Sequence, residues 1–254
     1  MLLAGSRESG DPVAEHCRVP VKALAEVGGE VMIRRVVKAL SGEPKIERLV
    51  VVGEQEILAP CLEDLEVSRK LIWCPPATTP AKSLSRAFEC IPEQVPVLVT
   101  TSDHAILRTE WVGRFLQDSE SSGADLCFAL TSAKEVLEEV PDSKRTVLSF
   151  FDVEVCTCNL FAFCTQSARV VSQAWQATES ARKRPWKMLA RLGLINALLY
   201  RMGRLRLEDA LTRLSQRFGV RLQSVLLPFP LLALDVDTPE DLEVCNRLLN
   251  EVAA

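Results

Sequence analysis

Strand-length apolar runs recur down the whole chain with amphipathic stretches of helical period between them, and this alternation restricts the fold more than any other feature. The runs are Leu2–Ala4, Leu49–Gly53, Leu71–Cys74, Val95–Thr101, Asp125–Leu130, Thr146–Phe151, Thr157–Phe163, Val220–Leu227 and Leu232–Val236. Continuous apolar strands joined by helical crossovers imply an α/β fold with a mainly parallel sheet covered on both faces. In "VMIRRVVKAL" the residues Val31, Ile33, Val36, Val37 and Leu40 approximate a 3.6 period, and Gly28-Gly29 before them is a natural turn. "SLSRAFECI" and "EWVGRFL" read as helices in the same way. No internal repeat or low-complexity tract interrupts the pattern.

At 254 residues with 48% apolar side chains and a net charge of −4, the chain can bury one large core, and a single domain over 1–254 is expected. No stretch approaches the roughly 18 uninterrupted apolar residues of a membrane span, and "MLLAGSRESGD" is too short for a signal peptide's apolar segment. A soluble, cytoplasmic protein without a membrane partner is therefore expected. The nine cysteines are odd in number, lie mostly in apolar runs and include no CxxC pair, so they read as reduced core residues. Cys156 and Cys158 would share one face of a strand, but further partners at thiolate-ligand spacing are missing. With His16 and His104 the only histidines, a histidine-rich metal site is not expected.

The stretch 182–222 departs from the alternation. It reads as a helical, basic insert in which eleven Lys and Arg residues face only Glu208 and Asp209. A solvated helical face is the ordinary reading of such a run. A phosphorylated small molecule is the next, which makes the segment a candidate acceptor lid. Nucleic acid is not expected, because aromatic interleaving amounts to Trp186 and Tyr200 alone.

Three places carry candidate chemistry. Asp103, in "LVTTSDHAIL", follows the most apolar central strand, where ligands of open α/β sheets gather; a turn-capping aspartate is the structural alternative. His104 reads as a packing residue. In "LALDVDTPEDL", Thr238 to Asp241 form a capping box with proline at the first helical position, which accounts for those residues. It leaves Asp235 and Asp237, which on the end of a strand would point to one face, and two adjacent like charges call for compensation. Mg²⁺ compensates such a pair, taking one or two carboxylates and filling its other sites with phosphate oxygens and water. At the N-terminus a short strand runs into Ala4, Gly5, Ser6 and Arg7, small residues that let a backbone approach a ligand. Lys22, lodged between Val21 and Ala23, either snorkels to solvent or places one positive charge on a polyphosphate.

Taken in order, "LAGSR…GDP…VPVKALAEVGGEVMIRRVVKAL", "VLVTTSDHAIL" and "LDVDTPEDL" resemble the molybdenum-cofactor-guanylyltransferase-like nucleotidyltransferases of the wider sugar-nucleotide pyrophosphorylase superfamily. The resemblance spans nearly the whole chain. It implies a Rossmann-like, three-layer α/β/α sandwich of the glycosyltransferase-A type, and transfer of a nucleotide from a nucleoside triphosphate to an anionic small acceptor with release of pyrophosphate. It further implies that Leu3, Ala4, Gly5, Ser6 and Arg7 cradle the nucleotide and that Lys22 sits on its phosphates. Asp103 would hold magnesium, Asp237 would be the second ligand with Asp235 as its substitute, and Asn159 would touch the acceptor or sugar.

The chain also departs from the family pattern. "LAGSRESGDP" replaces a glycine-rich "LAGGxGTRM", and "CTCN" stands where relatives carry "GGN". Two other readings stay open at this point. One is a glycosyltransferase of the same architecture, whose DxD string "DVD" matches although it sits far toward the C-terminus. The other is a degenerate member that senses a nucleotide or binds a partner.

Overall fold

The computed structural model describes residues 1–5, 10–142, 144–178 and 193–253. These divide into two compact units, one of residues 1–91, 99–116 and 234–254, the other of 92–98 and 117–233.

The first unit is built on parallel strands. Strand β1 (Leu2–Leu3) lies between β4 (Leu49–Val52) and β6 (Val97–Thr101), and β4 continues to β5 (Leu71–Cys74), every pair parallel. Leu2, Val51 and Val52 are wholly buried, as strands covered on both faces require. Two short antiparallel strands, β2 (Glu26–Val27) and β3 (Glu30–Val31), form a hairpin around Gly28 and Gly29, whose φ angles of 59° and 72° are those of a two-residue primed turn. Helix α1 (Pro12–Cys17) starts on Asp11, whose carboxylate accepts from the Val13 and Ala14 amides. Helix α2 (Met32–Ser41) buries Ile33, Val36, Val37 and Leu40, the face its periodicity indicates, while Val31 is the half-buried residue preceding it. Helices α3 (Gln55–Leu58) and α4 (Pro80–Glu89) follow β4 and β5, and α5 (Thr109–Ser122) follows β6.

In the second unit, β7 (Leu126–Ser132) pairs antiparallel with β9 (Glu154–Phe163) and parallel with β10 (Leu222–Leu226), while β8 (Val147–Ser149) pairs with the start of β9. Its helices are α6 (Ala133–Glu139), α7 (Val170–Thr178), α8 (Leu194–Arg201) and α9 (Leu207–Phe218), and α10 (Pro239–Ala253) closes the chain in the first unit. The α/β class with mainly parallel pairing is as expected. Cys74, Cys127, Cys156, Cys158 and Cys245 are buried, all nine cysteines are free thiols, and only Cys90 is exposed.

One expected strand is absent. Residues 232–236 join no strand ladder: a 3₁₀ turn spans Pro230–Ala233 and chain of no regular class follows it. Pro230 opens the 3₁₀ turn, its fixed φ near the helical value suiting that position. Asp235 and Asp237 are therefore not alternate residues of a strand, and the argument that places them on one face does not hold. Of the basic insert, 193–222 folds as α8, α9 and the start of β10, whereas Arg182, Lys183, Arg184, Lys187 and Arg191 lie outside the described residues. No helix among the described residues is long and apolar enough to cross a membrane.

Candidate active site

The site sits where parallel strands of the first unit end. Leu3 pairs with Thr101 at the carboxyl ends of β1 and β6, the Ser102 amide donates to the Leu3 carbonyl (2.9 Å), and the Ala4 amide donates to Val52 (2.8 Å). Leu3 and Ala4 are buried and Gly5 is exposed. The backbone runs close to its neighbours here. A Cβ on Gly5 would lie 3.1 Å from the Pro76 Cβ, and one on Gly53 would lie 3.1 Å from the Ala4 carbonyl oxygen. Packing thus favours glycine at 5 and at 53, whatever else the loop does. Ser6 and Arg7 lie outside the described residues.

Asp103 stands two residues beyond β6. The chain there is tied to the C-terminal segment by the Val236 amide, which donates to the Asp103 carbonyl across 2.9 Å. Arg35 of α2 secures the same loop, donating from Nε to the Ala105 carbonyl (2.9 Å) and from a terminal nitrogen to Val27 (3.3 Å). His104 is buried, its Nδ1 3.5 Å from Thr100 Oγ1, consistent with packing.

Lys22 begins a 3₁₀ turn, Lys22–Leu24, flanked by buried Val21 and Ala23. It does not snorkel. Its Nζ donates to Asp103 Oδ2 at 2.6 Å and to Asp237 Oδ1 at 3.0 Å, and the Lys22 and Asp103 side chains are each only 14% exposed. Burial opposes the charge on the ammonium, but the attraction and hydrogen bonds of the two carboxylates outweigh it, and the lysine pKa is raised. Asp103 thus serves the ammonium.

Asp237 is held from below by Asp241. One carboxylate oxygen, Asp241 Oδ2, accepts from the Asp237 amide (3.1 Å), the Thr238 amide (2.9 Å) and Thr238 Oγ1 (3.0 Å), while the Asp241 amide donates back to Thr238 Oγ1 (3.2 Å). The capping box read from the sequence is therefore real, and its reach back to the Asp237 amide is an additional function of the same carboxylate. Asp235 is half-buried two residues upstream. Asn159 lies in the second unit, half-buried within β9.

The residues suit a divalent cation in two respects. Asp103 Oδ1 and Thr101 Oγ1 are buried with no hydrogen-bond partner among the described residues, an expensive state for polar atoms unless a ligand meets them. Asp103 and Asp237 together offer the one or two carboxylates that Mg²⁺ takes when substrate phosphates complete its sphere. A protein-only metal cage does not suit the site, since no group of three or more His, Cys, Asp or Glu side chains is placed for it among the described residues.

The MobA-like NTP transferase domain model matches residues 18–222, most of the chain. The chain belongs to that family. It is accordingly a nucleotidyltransferase, with a nucleoside triphosphate as donor. No curated protein matches its sequence. Among solved structures, a hypothetical transferase from Thermus thermophilus is 28% identical, with a TM-score of 0.77 over 95% of this chain and 97% of its own. Two others share the fold alone. The 4-diphosphocytidyl-2C-methyl-D-erythritol synthase of Anaerococcus prevotii is 14% identical, with a TM-score of 0.57 over 98% and 97% of the two chains. The CMP:2-keto-3-deoxy-manno-octonic acid synthetase, solved with CTP, is 15% identical, with a TM-score of 0.59 over 99% and 98%.

Proposed function

We propose that this MobA-like domain is a magnesium-dependent nucleotidyltransferase that joins a nucleoside triphosphate to an anionic, phosphorylated small acceptor and releases pyrophosphate. The observation that carries the proposal is the meeting of Asp103 and Asp237 on the Lys22 ammonium at the carboxyl ends of the parallel strands.

An acceptor oxygen attacks the α-phosphorus in line, the bond from the α-phosphorus to its bridging oxygen breaks, and pyrophosphate leaves with the electron pair. The task for the protein is to bring two anions together and to stabilise charge on the leaving group. Lys22, on a backbone fixed by its 3₁₀ turn, supplies a positive charge for the phosphates. Leu3, Ala4 and Gly5, with Ser6 and Arg7 beyond the described chain, are proposed to line the nucleotide. Asp103 and Asp237 would hold Mg²⁺, with Asp235 as the alternative second ligand. The ion would neutralise phosphate charge and orient the reacting oxygens. A phosphate oxygen is already a nucleophile at neutral pH, so no general base is needed. The role of Asn159 toward the acceptor rests on the family resemblance alone.

Incubation with each of the four nucleoside triphosphates, Mg²⁺ and a panel of sugar phosphates, followed by pyrophosphate detection, tests the proposal. Release with one nucleotide and one acceptor class is expected. Thermal stabilisation by a nucleotide without pyrophosphate release from any pair would favour a binding protein instead.

A further inference from the structure

Lys22 is a cation the chain provides for its own carboxylates. Its ammonium takes one oxygen from each acid, Asp103 Oδ2 and Asp237 Oδ1, and so occupies the space between the two groups proposed above as metal ligands. The lysine backbone is not free to drift, because the Leu24 amide donates to Val21 (3.0 Å), the Ala25 amide to Lys22 (3.0 Å) and the Met32 amide to Ala25 (2.9 Å). An ammonium so placed satisfies the two carboxylates electrostatically and repels any second cation approaching them. A polyphosphate has more negative charge than either aspartate and competes for the same ammonium.

We propose that Lys22 is a resident counter-cation that keeps divalent metal off Asp103 and Asp237 until a polyphosphate draws the ammonium away, so that metal enters with the nucleotide and not before it. The inference rests on the assignment of the two aspartates in the preceding subsection. It adds an order of binding and gives Lys22 two successive partners, the carboxylates and then the phosphates. The geometry favours this over a purely structural ion pair because Asp103 keeps its second oxygen, Oδ1, buried without a partner while Lys22 holds the first.

The test uses Mn²⁺ as probe, with free Mn²⁺ counted by electron paramagnetic resonance, on the full chain and its Lys22→Met, Lys22→Gln and Lys22→Met/Asp103→Asn variants, each checked for cooperative thermal unfolding. Without phosphate, both single variants should bind Mn²⁺ at least about tenfold more tightly than the wild type, and the double variant should lose that gain. With inorganic tripolyphosphate present the order should reverse, the wild type retaining more of the Mn²⁺–tripolyphosphate complex. Equal Mn²⁺ affinity of wild type and both single variants, or no binding by either, overturns the inference. Failure of the underlying active-site assignment is read separately, as pyrophosphate release by Asp103→Asn at the wild-type rate.

Discussion

The Val236 amide and the Asp103 carbonyl, 133 residues apart in sequence, share a 2.9 Å hydrogen bond. That bond fixes the C-terminal segment against the loop after β6 and sets Asp237, the next residue, where Lys22 reaches both acids. Backbone pairing thus helps to place the two acids that the Lys22 ammonium bridges.

Asp241 should act on catalysis through Asp237. Asp241→Asn weakens three bonds to one oxygen, including the Asp237 amide, and should lower kcat about tenfold with a smaller change in KM. Thr238→Ala removes the cap but leaves the Asp241–Asp237 bond. It should cost about 1 kcal/mol in urea unfolding with little loss of kcat. Equal kinetic damage from both would assign Asp241 to helix stability alone.

Gly28 and Gly29 should differ in tolerance. Both have positive φ, so alanine strains each by about 1–2 kcal/mol. At Gly28 a Cβ would also meet Leu249 Cδ1 at 2.9 Å, whereas nothing lies within 4 Å at Gly29. Urea unfolding should therefore show Gly28→Ala as the more destabilised variant.

The alternating apolar runs are sufficient to give the main-sheet strands and α2, though not the β2–β3 hairpin, because continuous burial in a sheet is displayed directly by a sequence. The run ending "LLALDV" misleads for the same reason: apolar content resembles a strand, but the run begins in a 3₁₀ turn opened by Pro230. Convergence of Lys22, Asp103 and Asp237 was not legible locally, since the partners lie 81 and 215 residues apart. Local pattern singled out the three residues, and the family resemblance implied their roles. That Lys22 would bind the two acids directly, and that Asp241 would brace Asp237, needed the geometry. A capping box followed from local spacing, but its bond to a residue before the cap does not.

Acid should separate Asp125 from its amide. The Arg221 amide (2.7 Å) and then the Thr165 hydroxyl (2.7 Å) donate to its carboxylate and hold its pKa below the usual aspartate value. A depressed folded pKa contributes stability above the unfolded value, about 4, and loses it as pH falls through the folded value. The stability deficit of Asp125→Asn, measured by urea unfolding from pH 7 to pH 3, should be largest at neutral pH and shrink below about pH 4.

Thiol labelling should follow exposure over acidity. Hydrogen bonding with Cys164 lowers the Cys127 thiol pKa, yet the residue is fully buried, while Cys90 is exposed. Brief iodoacetamide treatment of the folded protein, read by peptide mass spectrometry, should modify Cys90 ahead of Cys127. Cys158, buried and with its thiol pushed up by desolvation, should label only on unfolding.

Pyrophosphate release under Mg²⁺, compared among the wild type, Asp103→Asn and Asp237→Asn, tests the shared role of the two carboxylates most directly. Each amide substitution should reduce turnover by about 10²–10³-fold while the cooperative unfolding transition is retained. Wild-type turnover in both variants would contradict it.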